Sequence, residues 1–285
     1  TSDGNNVYFE FYTSKSDAIA KLKDLSTVET RVVERQLPKK KQEKILLKPN
    51  GKYYALLIGN SKYVHWASLS SPKNDVKEIE KILNSQYNFE KVITVIDGTE
   101  KEIMKAFKKL SNLTSDKDYV LIYYSGHGDI KGNNSYWVPV DGEKEYGLGD
   151  WINISEIQNY IREEIPNHHI VLMSDSCYFA METKGNEIRV DKRSQNFQKL
   201  LDRRTVMIVQ SGSNEPVADV SQDKHSMFGK SFILSLKNNE SIIRMHKIID
   251  NIQIAHSGMQ QMPHGFVIPA WGHGGGDFLF ITKQQ

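Results

Sequence analysis

The chain has 285 residues, 39% apolar and 25% charged, which is apolar content enough for one large α/β domain and excludes wholesale disorder. A net charge of +2 is too balanced to argue by itself for a nucleic-acid or anionic-membrane partner, neither of which is expected, and no apolar run approaches the ~18 residues of a membrane span. The single cysteine, Cys177, excludes a disulfide framework within the chain and any multi-thiolate metal site.

Residues 1–50 read as an N-terminal extension. An aromatic alternation at 7–12 (VYFEFY) leads into a polar helical stretch at 16–25, a β-branched run at 30–33 and a basic segment at 38–44 (PKKKQEK). The basic run reads as a solvated linker. The chain opens on Thr1 without a signal-peptide pattern, so a cytoplasmic location is expected. Pro49-Asn50-Gly51 is a turn signal, and regular structure starts after it.

From residue 53 the pattern alternates strand and helix. The continuous apolar run at 53–58 (YYALLI) suits a parallel strand buried on both faces. Asn74-Asp75 is expected to cap a helix whose apolar positions Val76, Ile79, Ile82 and Leu83 fall at helical spacing. A second strand at 91–96 (KVITVI) ends at Asp97-Gly98. Thr99 then caps a helix, with Glu102 completing a capping box. Strands are expected at 118–124, 135–140, 168–173 and 205–209, and a helix at 154–165 stopped by Pro166. Helices at 227–237 and 241–256 follow, then a last strand at 277–281. Alternating elements of this length predict an α/β fold, a mainly parallel sheet with helices on both faces. Such sheets carry their reactive groups on loops beyond the carboxyl ends of the strands.

Two such loops bear chemistry: SGHGD at 125–129 after the third strand, and SDSC at 174–177 after the fourth core strand. His127 stands between two glycines, so a substrate can approach its ring and the neighbouring N–H closely. A cysteine paired with a histidine is a nucleophile with its base, and backbone N–H groups nearby can receive an oxyanion. A lone cysteine alone would read as a small packed hydrophobe; the Gly-His-Gly loop beside it favours the reactive reading. The Gly-rich run at 272–276 lacks phosphate-cradle spacing and reads as a turn, and the remaining histidines show no ligand spacing. Tyr136, Trp137 and Trp151 read as packing rather than cleft lining.

These residues resemble the caspase-like cysteine peptidases, and among them the metacaspases and bacterial orthocaspases. The resemblance runs from about 53 to 281 and rests on SGHG and DSC in this order, with SSPKNDV at 70–76, Asn214-Glu215-Pro216, and Gly-Gly-Gly-Asp-Phe at 274–278. The separation of His127 from Cys177 is the one found in caspases. The resemblance implies a caspase-like three-layer sandwich with a large-subunit-like part at 51–181, a linker at 182–203 and a small-subunit-like part at 204–285.

The resemblance further implies Cys177 as nucleophile, His127 as general acid and base, and the N–H groups of Gly128 and Cys177 as oxyanion hole. It implies cleavage after Arg or Lys, read by an acidic pocket whose positions here hold Asp75, Ser125 and Asp175. Two carboxylates and a hydroxyl suit a guanidinium. The Trp-Arg pair of true caspases is absent after the fifth strand, which argues against aspartate specificity. Glu215 and Asp219 are further candidates for the acidic wall.

Some members need calcium, and Asp141 and Asp150 lie in the corresponding region without a full ligand set. The implied partners are protein or peptide substrates, and the implied state is a monomer. The polar linker, with Lys184, Arg189, Lys192, Arg193, Arg203 and Arg204, is a candidate for self-cleavage. Tyr178-Phe179, where relatives have His-Ser-Gly, is the feature favouring a catalytically silent scaffold. A peptidase with another P1 preference is the remaining alternative.

Overall fold

A computed structural model describes residues 2–3, 6–7, 47–144, 151–165, 169–177, 185–188, 196–212, 224–259 and 262–283. The chain divides into two units, 1–46 and 47–285. In the first, Ser2–Asp3 and Asn6–Val7 pair as a short antiparallel ladder. The reading of 8–46 lies outside the described residues.

In the second unit, β1 (Tyr53–Gly59) is followed by α1 (Pro72–Gln86), β2 (Phe89–Ile96), α2 (Glu100–Leu113) and β3 (Tyr119–Ser125). A small antiparallel sheet follows, of β4 (Gly128–Lys131), β5 (Asn134–Trp137) and β6 (Ile152–Asn153). Then come α3 (Ile154–Glu164), β7 (His169–Asp175), β8 (Asn186–Glu187), α4 (Phe197–Asp202) and β9 (Thr205–Gln210). The chain closes with α5 (Met227–Lys237), β10 (Ile242–Arg244), α6 (Met245–Ala255), β11 (His264–Val267) and β12 (Leu279–Ile281).

The main sheet has seven strands in the order β8-β11-β9-β7-β3-β1-β2. The five from β2 to β9 run parallel, and β11 lies antiparallel to β9. Alternate strand residues enter two cores, which is why these strands are apolar throughout. Ala55, Leu57, Leu121, Tyr123, Val171 and Met173 pack with α1, α5 and α6. Leu56, Ile58, Val120, Ile122, Ile170 and Leu172 face α2 and α3. Helices on both faces of a mainly parallel sheet make the predicted three-layer sandwich.

Local chemistry explains the boundaries. Thr99 caps α2 with both halves of the capping box present, an interaction worth about 1 kcal/mol. The expected cap at Asn74-Asp75 is corrected: α1 begins earlier, with Ser71 at its N-cap and Pro72 in the first turn. Proline's fixed φ suits that position. Asp75 is thereby freed from capping and lies in the first turn, fully buried.

The helix expected at 241–256 begins at Met245, because Ile242–Arg244 pairs with Leu279–Ile281. The last strand thus joins a separate two-stranded sheet. In the second unit five strands were not expected from the sequence: β4, which continues straight from the SGHG loop, the two-residue β6 and β8, β10 at the expected helix start, and β11, whose His-Gly-Phe-Val has weak strand character. The linker also contains regular structure, since β8 pairs with β11 and Asn196 caps α4. The Gly-rich run forms a turn, with Gly272 and Gly275 at φ 87 and 80. Among the described residues no helix is long and apolar enough to cross a membrane.

Candidate active site

The chain runs from β1 to β2 on one side, then returns to place β3 on the other side of β1. The loops after β1 and β3 therefore part at this point, opening a crevice at the carboxyl edge of the sheet. SGHG leaves β3 there and SDSC leaves the neighbouring β7, with Ser125 in register with Asp175.

The two loops are laced together. Gly126 N–H donates to the Asp175 carbonyl at 3.3 Å. Gly128 lies so close to the cysteine's backbone that a Cβ there would run into the Cys177 carbonyl oxygen. Ser174 Oγ lies 2.8 Å from Ser176 Oγ and accepts from Trp137 Nε1 at 3.0 Å. Just beyond β9, Ser211 N–H donates to the Ser174 carbonyl at 3.0 Å. Cys177 is a free thiol, 9% exposed, at the end of this braced turn.

His127 is held through both its backbone and its ring. Its N–H donates to Tyr63 Oη at 2.8 Å, and its carbonyl accepts from Tyr124 Oη at 2.7 Å. The two hydroxyls also account for the preceding glycine: a Cβ at Gly126 would stand 2.6 Å from the first and 2.8 Å from the second. Burial raises the pKa of both phenols, so they remain neutral hydrogen-bonding groups. The imidazole Nε2 lies 2.8 Å from the Ala67 carbonyl. A carbonyl only accepts, so Nε2 carries the proton and, in the neutral ring, Nδ1 carries the lone pair. Tyr63 and Trp66 flank the ring, with centroids at 4.7 and 5.3 Å.

Tyr63, Trp66 and Ala67 all belong to the loop after β1, which sequence reasoning missed. Asp97, in the left-handed region at φ 53, fastens its start by accepting from the N–H groups of Ser61 and Lys62 at 2.7 and 2.8 Å. Trp66 Nε1 donates to the Gly142 carbonyl at 3.0 Å. Trp137 is fully buried and stacked on Tyr124 at 4.2 Å. With Tyr136 and Trp151 also buried, these aromatics are packing, as expected.

The residues predicted for an acidic pocket also converge. Asp75 and Asp175 are 0% and 3% exposed, and both meet Ser226, the N-cap of α5. Ser226 N–H donates to Asp75 Oδ2 at 3.2 Å, and its hydroxyl donates to Asp175 Oδ2 at 2.5 Å. The positive end of the α5 dipole therefore faces two buried carboxylates. Ser125, 2% exposed, ends β3 beside them. Burial, then Asp175 and Asp75, push the nearby Tyr123 phenol far up, so it stays protonated. His225 Nδ1 lies 2.6 Å from Asp75 Oδ1. The histidine carries no local signature in the sequence, since its partner is 150 residues away; the Ser226 cap is the legible signal there.

Glu215, Asp219, Tyr178, Phe179 and Asp150 lie outside the described residues. Asp141 is exposed, and among the described residues no three His, Cys, Asp or Glu side chains could share a metal ion.

Fold and loop placement together define an α/β sandwich with the layout of a cysteine peptidase. Residues 52–265 match the caspase domain, and the chain belongs to that peptidase family. It is 34% identical over 123 residues to human mucosa-associated lymphoid tissue lymphoma translocation protein 1, a match covering 43% of this chain and 15% of that protein. The mouse homologue matches at the same identity over 14% of its length. The chain thus corresponds to a small part of these relatives. Among solved structures, caspase-1 from Spodoptera frugiperda superposes with a TM-score of 0.57 over 78% of this chain and 89% of that one, at 11% identity. That likeness is one of fold.

Proposed function

We propose that the chain is a cysteine endopeptidase of the metacaspase or orthocaspase type, cleaving after Arg or Lys. The observation that carries this reading is the pair of buried carboxylates, Asp75 and Asp175, joined by Ser226 beside the loop that bears Cys177. An anionic pocket there binds a guanidinium or ammonium and repels an acidic side chain.

In this reading His127 Nδ1 takes the proton from Cys177 Sγ, and the thiolate attacks the scissile carbonyl carbon. The N–H groups of Gly128 and Cys177 receive the oxyanion. As the tetrahedral adduct collapses, the carbon–nitrogen bond breaks, and the imidazolium returns its proton to the leaving amine. Water, deprotonated by His127, then hydrolyses the thioester and restores the thiol. The Ala67 carbonyl supports these roles by holding the proton on Nε2, which leaves Nδ1 as base.

Self-cleavage belongs to the same proposal. Arg203 and Arg204 lead directly into strand β9, which leaves the bonds after Lys184, Arg189, Lys192 and Arg193, outside the described residues, as the proposed sites.

Peptides identical except for Arg, Lys, norleucine or Asp at P1 test the reading. The expected kcat/KM for Arg or Lys exceeds that for Asp by at least about a hundredfold, since like-charge juxtaposition costs several kcal/mol. Equal rates for Asp and Arg would overturn it. Repeating the series with calcium and with chelator separates a metal requirement from P1 selection.

A further inference from the structure

The acidic pocket already holds a group from this chain. His225 Nδ1 faces Asp75 Oδ1 at 2.6 Å; the imidazole is 23% exposed and the carboxylate fully buried. The residue before it, Lys224, is one of two non-glycine residues at positive φ among those described, at 61°. That conformation costs about 1 kcal/mol or more, and Asn74 Nδ2 holds it by donating to the Lys224 carbonyl at 3.1 Å. The residue after it, Ser226, bonds both carboxylates and accepts from Gly229 N–H at 2.8 Å to cap α5. Residues 224–226 thus lie across the pocket, with the helix cap fixed and the imidazole at its wetter edge.

Among the described residues, these other charged and titratable groups lie near His225. Glu78, one turn beyond Asp75 on α1, feels the imidazole and pairs with Lys237 of α5 at 2.6 Å. Asp175 at the end of β7 is reached through Ser226, and Tyr123 from β3 is a neutral phenol. Lys224 adjoins in sequence. Among the described residues Asp75 is in hydrogen-bond contact with the imidazole, and a charge-assisted bond to it is about twice as strong as a neutral one.

We propose that His225 is a built-in competitor for the acidic pocket: its imidazolium occupies the place of a cationic P1 side chain and is displaced when substrate enters. The inference rests on the Arg/Lys reading above. It makes affinity for a basic P1 group increase as the pH rises through the histidine range. Neutral His225 still donates one bond to Asp75, but no longer supplies a charge that rivals arginine.

The test compares two reversible peptide aldehydes, one ending in arginal and one in norleucinal, from pH 5.5 to 8. Both form the same hemithioacetal with Cys177, so the ratio of their inhibition constants cancels titration of Cys177 and His127. A single competing proton titrating between pH 5 and 8 changes that ratio by about tenfold in wild type. In His225→Ala the ratio should stay flat within about twofold and sit at the high-pH wild-type value or beyond. His225→Gln, which keeps a donor but cannot titrate, should also be flat and stands in if the alanine variant folds poorly.

Wild type and both variants sharing one pH slope, with arginal still preferred, would overturn the competitor while leaving the acidic pocket standing. Arginal and norleucinal binding alike in wild type, with Asp75→Asn changing nothing, would overturn the pocket and the competitor together.

Discussion

Replacing Cys177 by alanine should lower kcat/KM on an Arg peptide by at least about a thousandfold, because no other group can form the acyl intermediate. The chain has one thiol, so no second cysteine can substitute. The fold should be unaffected. Cys177 sits at the end of a turn braced by bonds to neighbouring serines, and its sulfur is not a member of either large core cluster. A melting temperature within about 2 °C of wild type is therefore expected for the variant, corresponding to no more than about 1 kcal/mol for a domain of this size. If the linker is self-cleaved, wild type should show fragments split within 182–204 and Cys177→Ala a single full-length mass. Retained peptidase activity in the variant would remove the nucleophile assignment.

Asp75→Asn should separate recognition from catalysis. The substitution keeps the shape of a fully buried side chain and an oxygen that can still accept from Ser226 N–H, but it removes one of the two pocket charges. Losing one partner of a desolvated charge pair costs about 2–5 kcal/mol. The kcat/KM for an Arg peptide should fall by about 30-fold to several thousandfold. The norleucine peptide should change by no more than a few fold, since it never used the charge. The loss should fall mainly on KM if the cation is bound equally in ground and transition states. Equal losses on both peptides would mean that Asp75 serves the fold or the His127 loop rather than the P1 side chain.

The scaffold was legible wherever the sequence carries a local physical signature. Runs such as 53–58 and 119–124 are apolar without alternation because both faces of the sheet are covered, and the capping box at Thr99 and Glu102 was readable as it stands. The two candidate loops were legible for the same reason, since glycines around a histidine and a lone cysteine after an apolar strand are short-range patterns. What escaped depends on distant partners or backbone atoms. The Ala67 carbonyl that orients His127 has no side-chain signature, and Tyr63 and Tyr124 act through their hydroxyls on the histidine's backbone. His225 reaches Asp75 across 150 residues of sequence. The misplaced start of α1 had a local cause: Asn74-Asp75 looks like a cap, but Pro72 begins the helix sooner and turns Asp75 toward the pocket.

An irreversible arginyl chloromethyl ketone, read by intact mass and peptide mapping, tests the nucleophile and the pocket at once. A single adduct is expected on Cys177 of wild type and none on Cys177→Ala. Labelling at least about tenfold slower is expected for Asp75→Asn, and none within the same time from the aspartyl analogue. Equal labelling of Cys177 by the arginyl and aspartyl probes, or an adduct on another residue, would contradict the pairing of this nucleophile with this pocket.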